Sequence, residues 1–240
     1  MNTLKDKNIV IVGATGGIGR AVTQRMAAAG ANLALSGRKE NDLKALAEES
    51  RNGGAGDVRH AVAEATDEAS VKAFFKEVAD AYECADILLY LPGLSKASPI
   101  TDMETSDYDA IVDANLKGLF LAAKHFLPLT QPDRDPLLSF VSSQAAGRAN
   151  PNAPVYCAAK AAASMLAQGL ALQTKEKNAR VTAFKPGPVD TDGFWGDRPV
   201  PREKFLKADD VANVIEFVYS LPAHVVMHEV SFESFEFFKK

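Results

Sequence analysis

"NIVIVGATGGIGRA", residues 8–21, joins a run of branched apolar side chains to a glycine-rich turn and then to a helix-forming stretch. Its first six residues read as a buried strand, and the pattern that follows, ending at Gly30, reads as a helix. Gly13, Gly17 and Gly19 lie between strand and helix. Glycine belongs in such a turn because the chain bends tightly and a pyrophosphate must approach the backbone amides. The helix start then offers unpaired N–H groups and a positive dipole end. The spacing is GxxxGxG rather than the GxGxxG of the general dinucleotide fingerprint, and glycines also serve many such turns for shape alone. Its place after the first strand is what points to a nucleotide.

The same alternation continues along the chain. Strand patterns at 31–37, 57–65, 85–93, 136–143, 179–187 and 224–232 alternate with helical patterns at 40–50, 67–82, 106–130, 153–176 and 208–221. No repeat or linker divides them. The expectation is an α/β chain: a single doubly wound, Rossmann-like domain over residues 1–240, with about seven parallel strands flanked by helices on both faces.

Composition narrows the function classes. The 240 residues carry a net charge of -4 and no basic block, which argues against nucleic acid and anionic membranes as partners. Two cysteines, Cys84 and Cys157, make no disulfide or zinc framework, and no metal site is expected. No segment approaches the roughly 18 apolar residues of a membrane span, and the N-terminus shows no signal-peptide pattern. A cytoplasmic location is expected.

The end of the second strand bears on the choice of nucleotide. A carboxylate there would bond the ribose 2′-OH of NAD, whereas an arginine suits a 2′-phosphate. The sequence has Ser36, Gly37 and Arg38 and no acid. A guanidinium makes charge-assisted bonds to phosphate, with the Ser36 hydroxyl as helper, so NADP(H) is favoured over NAD(H).

Ser142 and Ser143 close the fifth strand, at the edge where parallel sheets place their sites. Ser143 precedes Tyr156 by a short loop, and Lys160 follows Tyr156 by one helical turn. Together they suit carbonyl reduction or its reverse, in which a proton must reach the developing alkoxide and a second donor must fix the oxygen. A free phenol has a pKa of about 10, so bringing it near 7 takes about 4 kcal/mol. An exposed lysine supplies at most about 1 kcal/mol. Lys160 therefore matters only inside a water-poor site, with an oxidised nicotinamide adding its positive charge. Singly, each of these features is more often structural.

In order and spacing, GATGGIG (13–19), ANLKG (114–118), SFVSSQAAG (139–147), YCAAK (156–160) and KPGPVDT (185–191) resemble the short-chain dehydrogenase/reductase family. The resemblance runs from Asn8 to about Phe232. It implies an NAD(P)-dependent oxidoreductase with Asn115, Ser143, Tyr156 and Lys160 as its catalytic set. Tyr156 would exchange the proton and Ser143 orient the carbonyl. Lys160 would hold the nicotinamide ribose and lower the tyrosine pKa, while Asn115 supports a water in the proton relay. For the cofactor it implies Gly13, Thr15, Gly16, Gly17, Ile18 and Gly19, then Gly93, Tyr156 and Lys160. After the sixth strand it adds Pro186, Gly187, Val189 and Thr191, with Thr191 meeting the pyrophosphate or carboxamide side.

The chain also departs from the family pattern. Val12 stands where threonine is usual, and "YLPG", Tyr90 to Gly93, replaces NNAG, keeping only the glycine. Glu64-Ala65 takes the place of Asp-Val, and the glycine loop lacks the basic residue that often helps bind NADP. These changes bear on the adenosine side and on cofactor affinity.

The loop "PVDTDGFWGDRPVPREKFLK", residues 188–207, offers Phe194, Trp195 and Phe205 as apolar cover and Arg198 and Arg202 as partners for an anionic substrate. The two longest helices imply, through the resemblance, a homodimer or homotetramer. The expected function is an NADP(H)-dependent carbonyl reductase or alcohol dehydrogenase acting on a small or medium carbonyl or hydroxy compound. The alternative is a catalytically silent NADP-binding sensor or scaffold, which the altered YLPG and EATD (64–67) segments favour and the complete catalytic set opposes.

Overall fold

The computed structural model describes residues 4–239; residues 1–3 and 240, included in the whole-chain domain reading, lie outside the described residues. Strands and helices alternate as β1 (Asn8–Val12), α1 (Gly17–Ala28), β2 (Asn32–Gly37), α2 (Glu40–Asn52), β3 (Val58–Val62), α3 (Glu68–Ala81) and β4 (Ile87–Tyr90). Then come α4 (Thr105–Val112), α5 (Gly118–Phe126), β5 (Leu137–Val141), α6 (Pro154–Gln173) and β6 (Arg180–Pro186). The chain closes with α7 (Asp192–Trp195), α8 (Ala208–Tyr219), β7 (Glu229–Phe232) and α9 (Phe235–Phe238).

The strands form one seven-stranded parallel sheet in the order β3-β2-β1-β4-β5-β6-β7. Alternation of side chains along each strand builds a core on each face. From β1, Ile9 and Ile11 face a layer containing Val22 and Met26 of α1, Leu43 and Leu46 of α2, and Ile215 of α8. Val10 and Val12 face the other layer, with Phe74 of α3, Leu119 and Phe126 of α5, and Ala163 of α6. The strand order reverses between β1 and β4, where Val12 pairs with Tyr90. Ligands of such sheets bind in the crevice beyond that reversal.

Three expectations are corrected. The helix expected over 106–130 is not continuous: between α4 and α5 lies a π-helical turn, Asp113–Lys117. The last strand is shorter than 224–232, because Val225 N–H bonds back to Pro222 O and the chain is still turning there. Finally, α6 is long and apolar enough to meet the length and composition of a membrane span, yet Val155, Ala159, Ala163 and Ala167 are buried within the protein.

At the opposite edge of the sheet, Asp86 is fully buried and accepts from Arg134 Nε at 2.8 Å and Nη2 at 2.6 Å, and from Asn8 N–H at 2.7 Å. Removing the guanidinium leaves a buried carboxylate underpaired, a loss softened because Arg134 is partly exposed. Arg134→Met should therefore cost about 2 kcal/mol in urea unfolding.

Candidate active site

The turn after β1 is shaped by Gly13, whose φ of +83° is strained for other residues. Gly13 and Ala14 N–H both donate to Ser36 O at 2.9 Å, tying the turn to β2. Gly16 caps α1 with no side chain, so the amides of the first turn are left for an anion. A Cβ on Gly17 would fall 2.6 Å from Thr191 Cγ2, which places the segment after β6 across the start of α1. Gly19 backs closely onto the carbonyl of Gly13, and Ile18 is half-buried beside the core. Thr15 Oγ1 lies 2.9 Å from where a Gly37 Cβ would sit. This cradle of uncapped amides fits a dinucleotide pyrophosphate.

Ser36 does not belong to it. Its position shares the parity of Ala34, so its hydroxyl turns into the α3 side of the sheet, 1% exposed and without a hydrogen-bond partner. The expectation that it helps bind a 2′-phosphate is corrected on that ground. Arg38 is exposed and makes no ion pair or hydrogen bond with a described residue. Glu64 has its carboxylate occupied by Thr66 Oγ1 at 3.0 Å.

Across the reversal point, Asn115 and Lys160 close on Gly93, and Tyr156 lies between Lys160 and a hydrogen bond with Ser143. Lys160 is 4% exposed, and its Nζ donates to Val141 O at 2.9 Å. Burial pulls its pKa down to about 7. Its Nζ lies 5.9 Å from the centre of the Tyr156 ring. Burial pushes the Tyr156 phenol up to about 12, against a hydrogen bond with Ser143 that lowers it. Asn115 donates to Leu94 O at 2.7 Å and Ile111 O at 2.8 Å, while its buried Oδ1 has no partner. A Cβ on Gly93 would lie 3.0 Å from that oxygen and 3.3 Å from Lys160 Nζ, so glycine lets both polar groups close on one point.

Pro186 ends β6, and Gly187 N–H bonds to Phe232 O at 2.8 Å. Val189 turns its side chain into the core, and its carbonyl accepts from Trp195 Nε1 at 2.7 Å. Only its N–H is left to meet a cofactor. Phe194 lies over Tyr156 with ring centres 6.0 Å apart, and an aromatic chain continues through Trp195 and Phe205 to Phe237.

The arginines of this loop are otherwise engaged. Arg202 bonds Asp190 and Asp192, each at 2.5 Å, which corrects its assignment to an anionic substrate. Arg198 stacks over the rings of Trp195 and Phe194 at 4.8 and 5.2 Å. Residue patterns did not reveal that Phe194 packs beside Tyr156, nor that Tyr90 reaches the π turn with a hydrogen bond to Ala114 O.

Known proteins place this arrangement in context. The profile of the short chain dehydrogenase family matches residues 7–199. An uncharacterized oxidoreductase of Staphylococcus aureus strain MRSA252 is 28% identical over 96% of this chain and 98% of its own. An alcohol dehydrogenase from the archaeon Thermococcus sibiricus, complexed with 5-hydroxy-NADP, superposes with a TM-score of 0.90 at 27% identity, covering 97% of this chain and 98% of its own. A short chain dehydrogenase of Burkholderia cenocepacia J2315 in complex with NADP gives 0.86 at 26% identity, covering 96% and 97%.

The buried ammonium also has a thermodynamic signature. The unfolded chain holds the Lys160 proton up to its ordinary value of 10.5, whereas the folded chain releases it near 7. Folding is therefore penalised below 7, and the penalty is relieved as pH rises through that window. Compared with Lys160→Met by denaturant melts, the wild type should gain about 1.4 kcal/mol per pH unit between those values, and nothing below them.

Proposed function

Because this chain belongs to the short-chain dehydrogenase family, we propose that it is an NADP(H)-dependent oxidoreductase interconverting a small or medium apolar carbonyl compound and its alcohol. The bound dinucleotide would supply the hydride for reduction, accept it in oxidation and, when oxidised, carry a positive charge. The glycine loop and Thr191 would hold its pyrophosphate, and Lys160 its nicotinamide ribose. Tyr156 passes its phenolic proton to the carbonyl oxygen as charge develops there, and takes it back in the reverse direction. The Ser143 hydroxyl donates to the same oxygen and holds it against the phenol. Phe194 keeps water from the pair.

The observation that carries this reading is Lys160, a buried ammonium one helical turn from a half-buried phenol, held by a single carbonyl. With the phenol at about 12, forming phenolate near pH 7 takes about 7 kcal/mol from neighbouring charge. Tyr156 thus needs positive charge beside it both to give up its proton and to be held as phenolate. Arg38, unpaired beside Gly37, supports NADP(H), as do the nucleotides named in the two structural relatives. Neutralisation of Arg202 and the aromatic cover support an apolar substrate. The exposed Phe120, Met165 and Leu172 on α5 and α6 support a homo-oligomer.

Nicotinamide absorbance followed over ketones, aldehydes, acyl thioesters and alcohols, with NADPH and NADH in parallel, tests the reading. Tyr156→Phe should lower kcat by about 100-fold or more while NADPH binding stays within about twofold. NADPH binding without turnover of any panel member would instead leave a silent binding protein. Arg38→Ala should weaken NADPH binding by about tenfold and leave NADH binding alone, since a charge-assisted phosphate contact is lost.

A further inference from the structure

Tyr90 opens the segment that departs from the family pattern, and the hydride-transfer machinery gives it no part. It ends β4 beside Val12, at the reversal of strand order, and is 1% exposed. Its hydroxyl donates to Ala114 O at 2.8 Å. A regular α-helix would offer that carbonyl to the N–H of Gly118, four residues on. Here Gly118 N–H bonds to Asp113 O, five residues back, because the backbone forms a π turn. The carbonyl of Ala114 is released from its helical partner, and a buried carbonyl needs another. Tyr90 supplies it. A Cβ on Gly118 would fall 2.1 Å from the phenolic oxygen, so only glycine there lets the phenol reach the helix.

The residue after Ala114 is Asn115, whose Oδ1 closes on Gly93 beside Lys160 Nζ. We propose that Tyr90 is a positioning residue: its bond to Ala114 fixes the π turn and so sets Asn115 against Gly93 and Lys160. In this chain the anchor stands in β4 and reaches the helix through a phenol. The kinetic consequence rests on the hydride-transfer reading, whereas the anchoring itself rests on geometry.

Packing alone would be served equally by phenylalanine, so Tyr90→Phe isolates the hydroxyl. Tyr82→Phe is the control, since Tyr82 is buried in the same core and its hydroxyl donates to Leu33 O at 3.0 Å. Both variants should lose some thermal stability. Only Tyr90→Phe should lower kcat, by about tenfold or more with KM for the carbonyl compound within about twofold. It alone should also speed amide hydrogen exchange across residues 112–119. Wild-type kcat and exchange in Tyr90→Phe, or equal losses in both variants, would overturn the proposal. A wild type that turns over nothing defeats the hydride-transfer reading, and exchange alone then decides this one. Should Tyr90→Phe not be recovered folded, the Tyr90 hydroxyl proton of the wild type is read by NMR. Slow exchange supports the anchor, and fast exchange refutes it.

Discussion

Parallel pairing of β1 with β2 on one side and β4 on the other is the constraint from which the rest follows. Parallel strands need a crossover between them, and the crossovers here are helices that cover both faces. All carboxyl ends therefore meet at one edge. Gly13, Gly93, Ser143 and Gly187 each follow the end of a strand in that edge, although long stretches of chain separate them. Reversal of strand order between β1 and β4 then opens the crevice, because the helices that follow these two strands leave toward opposite faces. The glycine turn lies on one side of the crevice, and Asn115, Tyr156 and Lys160 on the other.

Within that crevice, chemistry and stability pull against each other. Lys160 sits where burial lowers its pKa to about 7, a direction that disfavours the charged form the proposed reaction needs. Tyr156 is pushed to about 12, away from the phenolate. Neither side chain improves the fold by being there. A hydrophobic residue of similar size would satisfy the core better than an ammonium with one carbonyl partner. Such a pair makes sense where an additional positive charge enters beside the phenol, so that the dry surroundings magnify an attraction they otherwise lack. Phe194 adds apolar cover on one side of Tyr156, with ring centres 6.0 Å apart.

Much of this architecture was legible in the residues. Short branched runs alternating with helical periods gave the strand and helix order, and the glycine turn and strand-end serine marked the site edge. Features that depend on where one side chain meets another were less legible. Ser36 occupies a suitable place in sequence, but the two-residue period of β2 turns it to the same face as Ala34 and into the core. Arg202 is a cation in the right loop, yet Asp190 and Asp192 reach it first. The π turn, Asp113–Lys117, spans only five residues, too few for the period of the hydrophobic pattern to separate it from the α-helices on either side.

The replacement of NNAG by YLPG shows why a departure from a family pattern need not be a loss. A site of this kind requires two walls held still, the glycine turn and the helix bearing Asn115. Pro92 stands against the first, 3.1 Å from where a Gly13 Cβ would lie, and its ring restricts the chain that follows β4. Tyr90 stands against the second through Ala114. The room for the phenol comes from the missing side chain of Gly118. The two positions are therefore one device. An unsatisfied carbonyl is the cost of any π turn, and tying it to the strand that borders the cofactor crevice makes the helix deformation part of the site.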